Sequence, residues 1–282
     1  MVTRNQDKTQ SLLSYKYYIR PIARRLYGNT TSESKHQQNV QRILKILALE
    51  GPMTTWDMAK IRFPNDIIKL RTKEKEYRRI LIGRTDRGRH SEGILDLNLV
   101  VVDSKSTKRN QGNVYRLSLF GILYCLDTLD LKKNEIDVLA KKYEVVIPLI
   151  FGKWDFLKSQ IGESVYNLSL LGKGMMFDNL NVIKIQDPKF YGLISYFNTK
   201  ANQLSHSFNE QKIGELISLW FYVTLLYLPN LMKKTKNKNH DSYLKKVLKH
   251  DPELQIWFSD FIDEARTFYN QRSKILESIS IG

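Results

Sequence analysis

The chain has 282 residues and carries 45 Lys and Arg against 29 Asp and Glu, a formal net charge of +16. Its length predicts two domains of ordinary size, and its composition, 42% hydrophobic and 26% charged, is globular. The single cysteine, Cys125, excludes an internal disulfide bond and predicts a reducing, cytoplasmic location, and the polar N-terminal residues predict no secretory signal.

The positive charge is unevenly distributed. Residues 1–120 contain 24 Lys and Arg against 11 Asp and Glu, whereas residues 121–282 contain 21 against 18. A basic half beside a nearly balanced half predicts one domain that binds a polyanion and one that does not. The alternative is a generally basic surface that is simply solvated.

Residues 1–36 form a basic and aromatic arm followed by a polar linker. The run SYKYYIRPIARRLYG interleaves four tyrosines with basic residues, and Pro21 interrupts any long helix. Such an arm either lies along a phosphate backbone or packs its tyrosines on the domain and leaves its charges in water. We favour the second reading.

The first strong helical pattern covers Gln37–Glu50. Its apolar residues recur at helical spacing, and Gly51 followed by Pro52 ends it, because glycine adopts the left-handed cap and proline cannot continue a helix. A short second helix begins with Thr54 or Thr55 as its N-cap.

A third helix is predicted over Ile67–Arg84, after Pro64 breaks the chain. Its apolar positions share one face, and cations occupy much of the remainder. An i,i+4 pair between Glu74 and Arg78 would only stabilise the helix. A solvated charged face is the ordinary fate of such a run, but its place after a short capped helix favours a binding surface.

The clearest local signal is a β-hairpin. Leu99–Val102 is apolar and β-branched, Val114–Leu119 alternates as a half-buried strand does, and the loop DSKSTKRNQGN between them is polar and basic. Three helices, the third of them basic, and a hairpin with a charged tip follow the order of a winged helix-turn-helix, which predicts a surface for double-stranded DNA. The candidate DNA-binding residues are Arg71, Lys73, Lys75, Arg78, Arg79, Arg84, Arg87, Arg89, Lys105, Lys108 and Arg109.

The segment SEGILDLNLVVVD separates Arg89 from the hairpin, where a compact winged helix has almost no linker. Two interpretations stay open. Either the third helix is followed by an insertion, or the helical element is interrupted around Thr85–His90 and resumes as EGILDLN, capped by Ser91. Both place Arg78–Arg89 close to the hairpin.

The stretch LNLVVVD…GNVYRLSLFGILYCLDTL resembles the wing and closing helix of archaeal winged-helix transcription-regulator-like proteins. There, a strand pair ends in YRLT-like residues and a Gly-containing helix follows. The resemblance covers about residues 37–128. It implies a DNA-binding fold with the hairpin as its wing, and it carries over no effector and no catalytic residue. The segment before the wing departs from the compact pattern.

Residues 131–282 predict an all-helical domain with a dimerisation or effector role. The apolar segment Ile213–Met232 contains a charge-free stretch, Leu216–Leu228, that is shorter than the roughly 20 residues that a bilayer requires. We therefore expect this segment to be a central core helix, and the alternative is a membrane-associated segment. Asp251, Pro252 and Glu253 predict the start of an aromatic-rich helix that runs to about residue 278 and suits a homodimer contact.

The whole chain is therefore expected to be mainly α with a small β-hairpin: an arm over 1–36, a winged helix-turn-helix over 37–130 and a helical domain over 131–282. Phosphate-loop, dinucleotide-binding and Cys-x-x-Cys motifs are absent, and the five histidines lack metal-ligand spacing. We expect a protein that is not an enzyme and holds no cofactor or metal. The function expected is that of a sequence-specific or architectural DNA-binding protein, in particular a transcriptional regulator. The alternatives are a winged-helix interaction scaffold, a membrane-associated protein and an RNA-binding or nucleic-acid-processing factor.

Overall fold

The computed structural model describes residues 35–86, 88–104, 112–166, 196, 199, 200, 203, 209–231 and 243–280. The chain divides into two compact units, which over these residues comprise 35–152 and 153–280. The first unit therefore extends past the predicted boundary at residue 130. The predicted arm, residues 1–36, lies almost wholly outside the described residues.

The described part of the first unit contains five helices and five short strands. The helices are α1 (Lys35–Glu50), α2 (Thr55–Arg62), α3 (Ile67–Ile82), α4 (Leu119–Thr128) and α5 (Lys133–Lys142), and the strands are β1 (Met53–Thr54), β2 (Arg84–Asp86), β3 (Arg89–Ser91), β4 (Val100–Ser104) and β5 (Val114–Leu117). The helices predicted over Gln37–Glu50 and Ile67–Arg84 and the hairpin are thus confirmed to within two residues at each end.

Strands β1, β5 and β4 form an antiparallel sheet in that order. β4 and β5 are the predicted hairpin, with Val100 opposite Leu117 and a register shift between Val102 and Ser104. β1 lies in the short connection between α1 and α2 and pairs with β5. This third strand anchors the hairpin to the helices, because β1 leads directly into α2.

Local capping sets where the helices of this unit begin. Thr54 is the N-cap of α2 and accepts a hydrogen bond from the Asp57 backbone N–H at 3.2 Å, as the sequence predicted. Asp66 caps α3 through the Lys69 N–H at 3.0 Å. Both caps satisfy a backbone donor that the first turn of a helix leaves without an intrahelical partner.

The inserted segment caps the other end of α3. Gly83 has a φ of +83° and ends the helix, and β2 and β3 then form a two-stranded hairpin. Beyond it, the N–H groups of Ile94 and Leu95 donate to the Ile80 and Leu81 carbonyls at 3.1 and 3.0 Å. The carbonyl groups in the last turn of α3 therefore find N–H donors in the segment that follows the β2–β3 hairpin.

The structure favours an insertion over an interrupted helix. Residues 94–98 form successive turns and no α-helix, so the prediction of a helix over EGILDLN is wrong. A Cβ atom on Gly93 would overlap the Leu81 carbonyl oxygen and the Gly83 nitrogen. The chain can pass this close to the end of α3 only because residue 93 has no side chain.

A second close approach fixes α4 against the hairpin. Ser118 caps α4 by accepting from the Gly121 N–H at 3.0 Å, and its hydroxyl donates to the Asn98 carbonyl. A Cβ atom on Gly121 would overlap the Leu99 carbonyl oxygen. The first turn of α4 therefore rests directly on the backbone at the start of β4.

The core of the first unit lies between α1, α4 and α5. Ile43, Leu44 and Leu47 of α1 are fully buried, and so is Cys125 of α4, as the sequence predicted. Burial raises the pKa of the Cys125 thiol, which keeps it protonated and unsuited to attack as a thiolate.

Two polar contacts hold α5 in this unit. Lys45 of α1 pairs with Glu135 at 2.8 Å, and the hydrogen bond from Lys45 holds the pKa of the Glu135 carboxyl below its ordinary value. The buried Tyr143 hydroxyl donates to the Leu47 carbonyl at 2.8 Å and accepts from the Leu117 N–H at 3.2 Å. Both contacts cross the predicted boundary at residue 130.

The described part of the second unit is helical. It contains α6 (Trp154–Ile161), a 3₁₀ turn (Gly162–Tyr166), α7 (Glu210–Leu231), α8 (Tyr243–His250) and α9 (Pro252–Ser280). The sequence also predicts a helix over residues 190–207 and a break at residues 172–174. The break lies outside the described residues and so does most of the helix, although Tyr196, Thr199, Lys200 and Gln203 are helical.

Helix α9 begins where the sequence predicted, with Asp251 accepting from the Leu254 N–H at 2.9 Å. Two of its aromatic side chains pack against other rings of the second unit. The ring centres of Trp257 and Tyr222 of α7 are 5.8 Å apart in an edge-on contact, and those of Phe261 and Tyr196 are 5.4 Å apart. No helix within the described ranges is long and apolar enough to cross a membrane. The apolar stretch of α7 instead supplies core residues, as expected.

Replacing Tyr143 with Phe removes the acceptor of the buried Leu117 N–H while keeping the ring. We expect a loss of about 1–3 kcal/mol in the free energy of unfolding, measured by urea denaturation. Tyr269→Phe is the matched control, because Tyr269 is 51% exposed and its hydroxyl makes none of these contacts. Equal midpoints for both variants would show that the Tyr143 hydroxyl does not stabilise the unit.

Candidate nucleic-acid interface

The outward side of α3 carries four cations, Arg71, Lys75, Arg78 and Arg79, which we call the basic face. All four side chains are exposed, and none makes a hydrogen bond or ion pair with any residue that the structure describes. The opposite side of α3 is buried through Leu70, Tyr77, Ile80 and Leu81.

The two acids of α3 lie away from the basic face. Glu74 accepts a hydrogen bond from the Thr55 hydroxyl of α2 at 2.9 Å. Glu76 accepts from the Asn39 side-chain amide of α1 at 2.5 Å. The expected pair of Glu74 with Arg78 does not form, so the positive charge of the basic face is not offset by an acid of its own helix.

Lys73 was predicted as a binding residue, and the structure places it on the inner side of α3. Its ammonium group pairs with Glu76 at 2.7 Å and donates to the Asn39 side-chain oxygen at 3.0 Å, and its side chain is 11% exposed. The same group lies 5.2 Å from the centre of the Tyr77 ring. Lys73 therefore ties α3 to α1.

The other candidate residues are located only in part. Arg84 begins β2 and is exposed, and the backbone of Arg89 lies in β3. Arg87 and the three cations of the hairpin tip fall outside the described residues, so the tip stays a prediction. These three cations are Lys105, Lys108 and Arg109.

Three further cations lie near the candidate site. Lys60 and Arg62 are exposed in the last turn of α2, and Arg62 also lies 5.4 Å from the centre of the Phe63 ring. Sequence reasoning missed them, although their position just before the basic helix was a usable signal. Arg116 of β5 is neutralised, because it pairs with Asp103 across the hairpin at 3.1 Å.

The second unit contains a cavity of about 220 Å³ beside α9. Tyr196, Lys200, Glu264 and Phe268 line it, and Lys200 and Glu264 form an ion pair there. The hydrogen bond from Lys200 is the main reason that the pKa of Glu264 lies below its ordinary value. In the described ranges, no three His, Cys, Asp or Glu side chains are grouped to hold a metal ion.

Comparisons of this chain with protein-family models, with curated proteins and with solved structures found no match. The function of the basic face is therefore inferred from its geometry and charge.

Substitutions of two neighbouring lysines of α3 should have different effects on the free energy of unfolding, because Lys73 is bonded inside the unit and Lys75 is exposed. Lys73→Met keeps the side-chain stem but removes the bonds to Glu76 and Asn39, and we expect it to lower the free energy of unfolding by about 1–2 kcal/mol. Lys75→Met, the matched control, should change it by no more than about 0.5 kcal/mol. Urea denaturation measures both, and a larger loss for Lys75→Met would contradict this assignment.

Proposed function

We propose that this protein binds double-stranded DNA through the basic face of α3, and that residues 35–128 form a winged helix-turn-helix. The order α1, β1, α2, α3, β4, β5 supports that fold, as does the sheet order β1, β5, β4. Helices α2 and α3 form the helix-turn-helix, and β4 and β5 form the wing. The β2–β3 hairpin is an insertion between α3 and the wing.

The observation that carries the proposal is the separation of charge on α3. Four cations face outward, while both acids of the helix are held on its inner side by residues of α1 and α2. Phosphate groups would supply the partners that these cations lack, and such contacts provide most of the affinity of DNA-binding proteins. A solvated face would keep both signs of charge in water.

The diameter of α3 suits the major groove. An α-helix with its side chains is roughly 10–12 Å across, and the major groove of B-DNA is about 12 Å wide and admits one. Arg79 lies diametrically opposite the buried side of α3, so we assign it to base edges, and Arg78, towards one flank, to phosphates.

A role in transcriptional regulation rests on the resemblance to archaeal winged-helix regulators.

The homodimer is also a proposal, and we place its contacts in the second unit. Two copies would present two basic faces to two half-sites on one duplex. Light scattering of the intact chain at tens of micromolar, an order of magnitude suited to weak interfaces, should show a dimer, and a monomer would contradict it.

The test of DNA binding uses two charge-matched double variants of the intact chain. Arg78→Ala with Arg79→Ala should weaken duplex binding about tenfold or more and reduce its salt dependence. Lys246→Ala with Lys249→Ala removes the same charge from exposed positions of α8 and should change affinity less than about twofold. Fluorescence anisotropy at two salt concentrations measures both.

Equal losses for the two double variants would show that net charge alone attracts the DNA, and would overturn the basic face as the interface.

Base reading by Arg79 has its own signature. Arg79→Ala alone should cost roughly 1–3 kcal/mol on a selected site and much less on a scrambled duplex. Equal costs on both duplexes would mean that Arg79 contacts only the backbone.

A further inference from the structure

Ile68 is an apolar residue at the N-terminal end of the basic face, one turn before Arg71. Its side chain is 76% exposed, more than those of Ile61 and Ile67, which are 51% and 60% exposed. Helical spacing places Ile68, Lys75 and Arg79 on one outward line, directly opposite the buried Tyr77 and Leu81.

Thr72 enlarges this apolar spot. It lies one turn after Ile68 on the same side of α3 and is exposed. Its hydroxyl donates to the Ile68 carbonyl at 3.0 Å, so the polar end of the side chain is bound to the helix backbone. The methyl group of Thr72 then contributes apolar surface beside Ile68.

The surroundings of the spot restrict its partner. Arg71 and Lys75 flank it, and the nearest acid in the sequence, Asp66, is occupied as the N-cap of α3 and pairs with Lys69 at 2.9 Å. A partner must therefore offer an apolar group within a strongly anionic surface. The major groove of DNA does so, because the C5-methyl group of thymine projects into it between two phosphate backbones.

We propose that Ile68, together with the methyl group of Thr72, contacts a thymine C5-methyl group in the major groove and so determines part of the sequence preference. This proposal rests on DNA binding by the basic face and deepens it. The cations position α3 by contacts to phosphates and to base edges, and the apolar spot near the start of α3 selects thymine over cytosine at one or two positions.

The test begins with the intact chain and a duplex selected from a random pool. Each thymine of that duplex is then replaced singly by deoxyuridine, which removes the methyl group and keeps the base pair. Binding of the wild type should weaken about three- to fivefold at one or two positions and stay constant at the rest, since burying one methyl group contributes on that scale.

Two alanine variants of α3 assign the effect to a residue. Ile68→Ala should bind the thymine duplex about as weakly as the wild type binds the deoxyuridine duplex, and should no longer distinguish the two. Ile67→Ala is the matched control, because Ile67 is 60% exposed but lies on a different side of the helix. Ile67→Ala should keep the full discrimination, and thermal unfolding verifies that both variants are folded.

The outcomes separate the two proposals. Binding of the wild type that is indifferent to every deoxyuridine overturns thymine recognition and leaves DNA binding standing. If Ile68→Ala distinguishes thymine from deoxyuridine as strongly as the wild type does, thymine recognition by Ile68 is also overturned, and DNA binding stands. Failure of the wild type to bind any duplex at low salt overturns both proposals, and the spot would then suit an acidic protein surface.

Discussion

The first unit depends on one buried hydroxyl group. Tyr143 follows α5, yet its hydroxyl donates to the Leu47 carbonyl in the last turn of α1 and accepts from the Leu117 N–H of β5. Burial raises the pKa of this hydroxyl well above its ordinary value, so it stays protonated and can both donate and accept. Helix α1 in turn carries Asn39, which bonds Glu76 and Lys73 of α3. Tyr143 and the basic helix are thus both bonded to α1.

The same arrangement explains why α3 displays charge of one sign. A glutamate on such a helix would ordinarily pair with a lysine or arginine one turn away. Glu76 does so with the little-exposed Lys73 and also accepts from Asn39 of α1, whereas Glu74 accepts from Thr55 of α2, so neither acid pairs with a cation of the basic face. The bonds that hold the two glutamates of α3 to its neighbours therefore also leave the outward cations of this helix without acidic partners.

Local patterns predicted the elements that local physics determines. The periodicity of α1, the Thr54 cap and the alternation of the hairpin were all visible in the sequence, because periodicity and capping involve residues within a few positions of each other. Strand β1 was missed, since two residues are too few for a pattern and its partner β5 comes much later. The inward role of Lys73 was missed for the same reason: its partner Asn39 belongs to another helix. The sequence predicted a boundary at residue 130, whereas the structure packs α5 on α1; nothing in the residues of α5 itself indicates that contact.

Two glycines are determined by backbone proximity alone. At Gly93 the chain touches the end of α3, and at Gly121 the first turn of α4 touches the carbonyl of Leu99. A larger side chain at either position would force apart two backbone segments that the surrounding packing holds in contact. Most neighbouring core positions, in contrast, accept a different apolar residue of similar volume. Descendants of a common ancestor could therefore replace many apolar core residues of this unit and still retain both glycines. Their spacing offers a way to recognise distant relatives after the rest of the sequence has diverged.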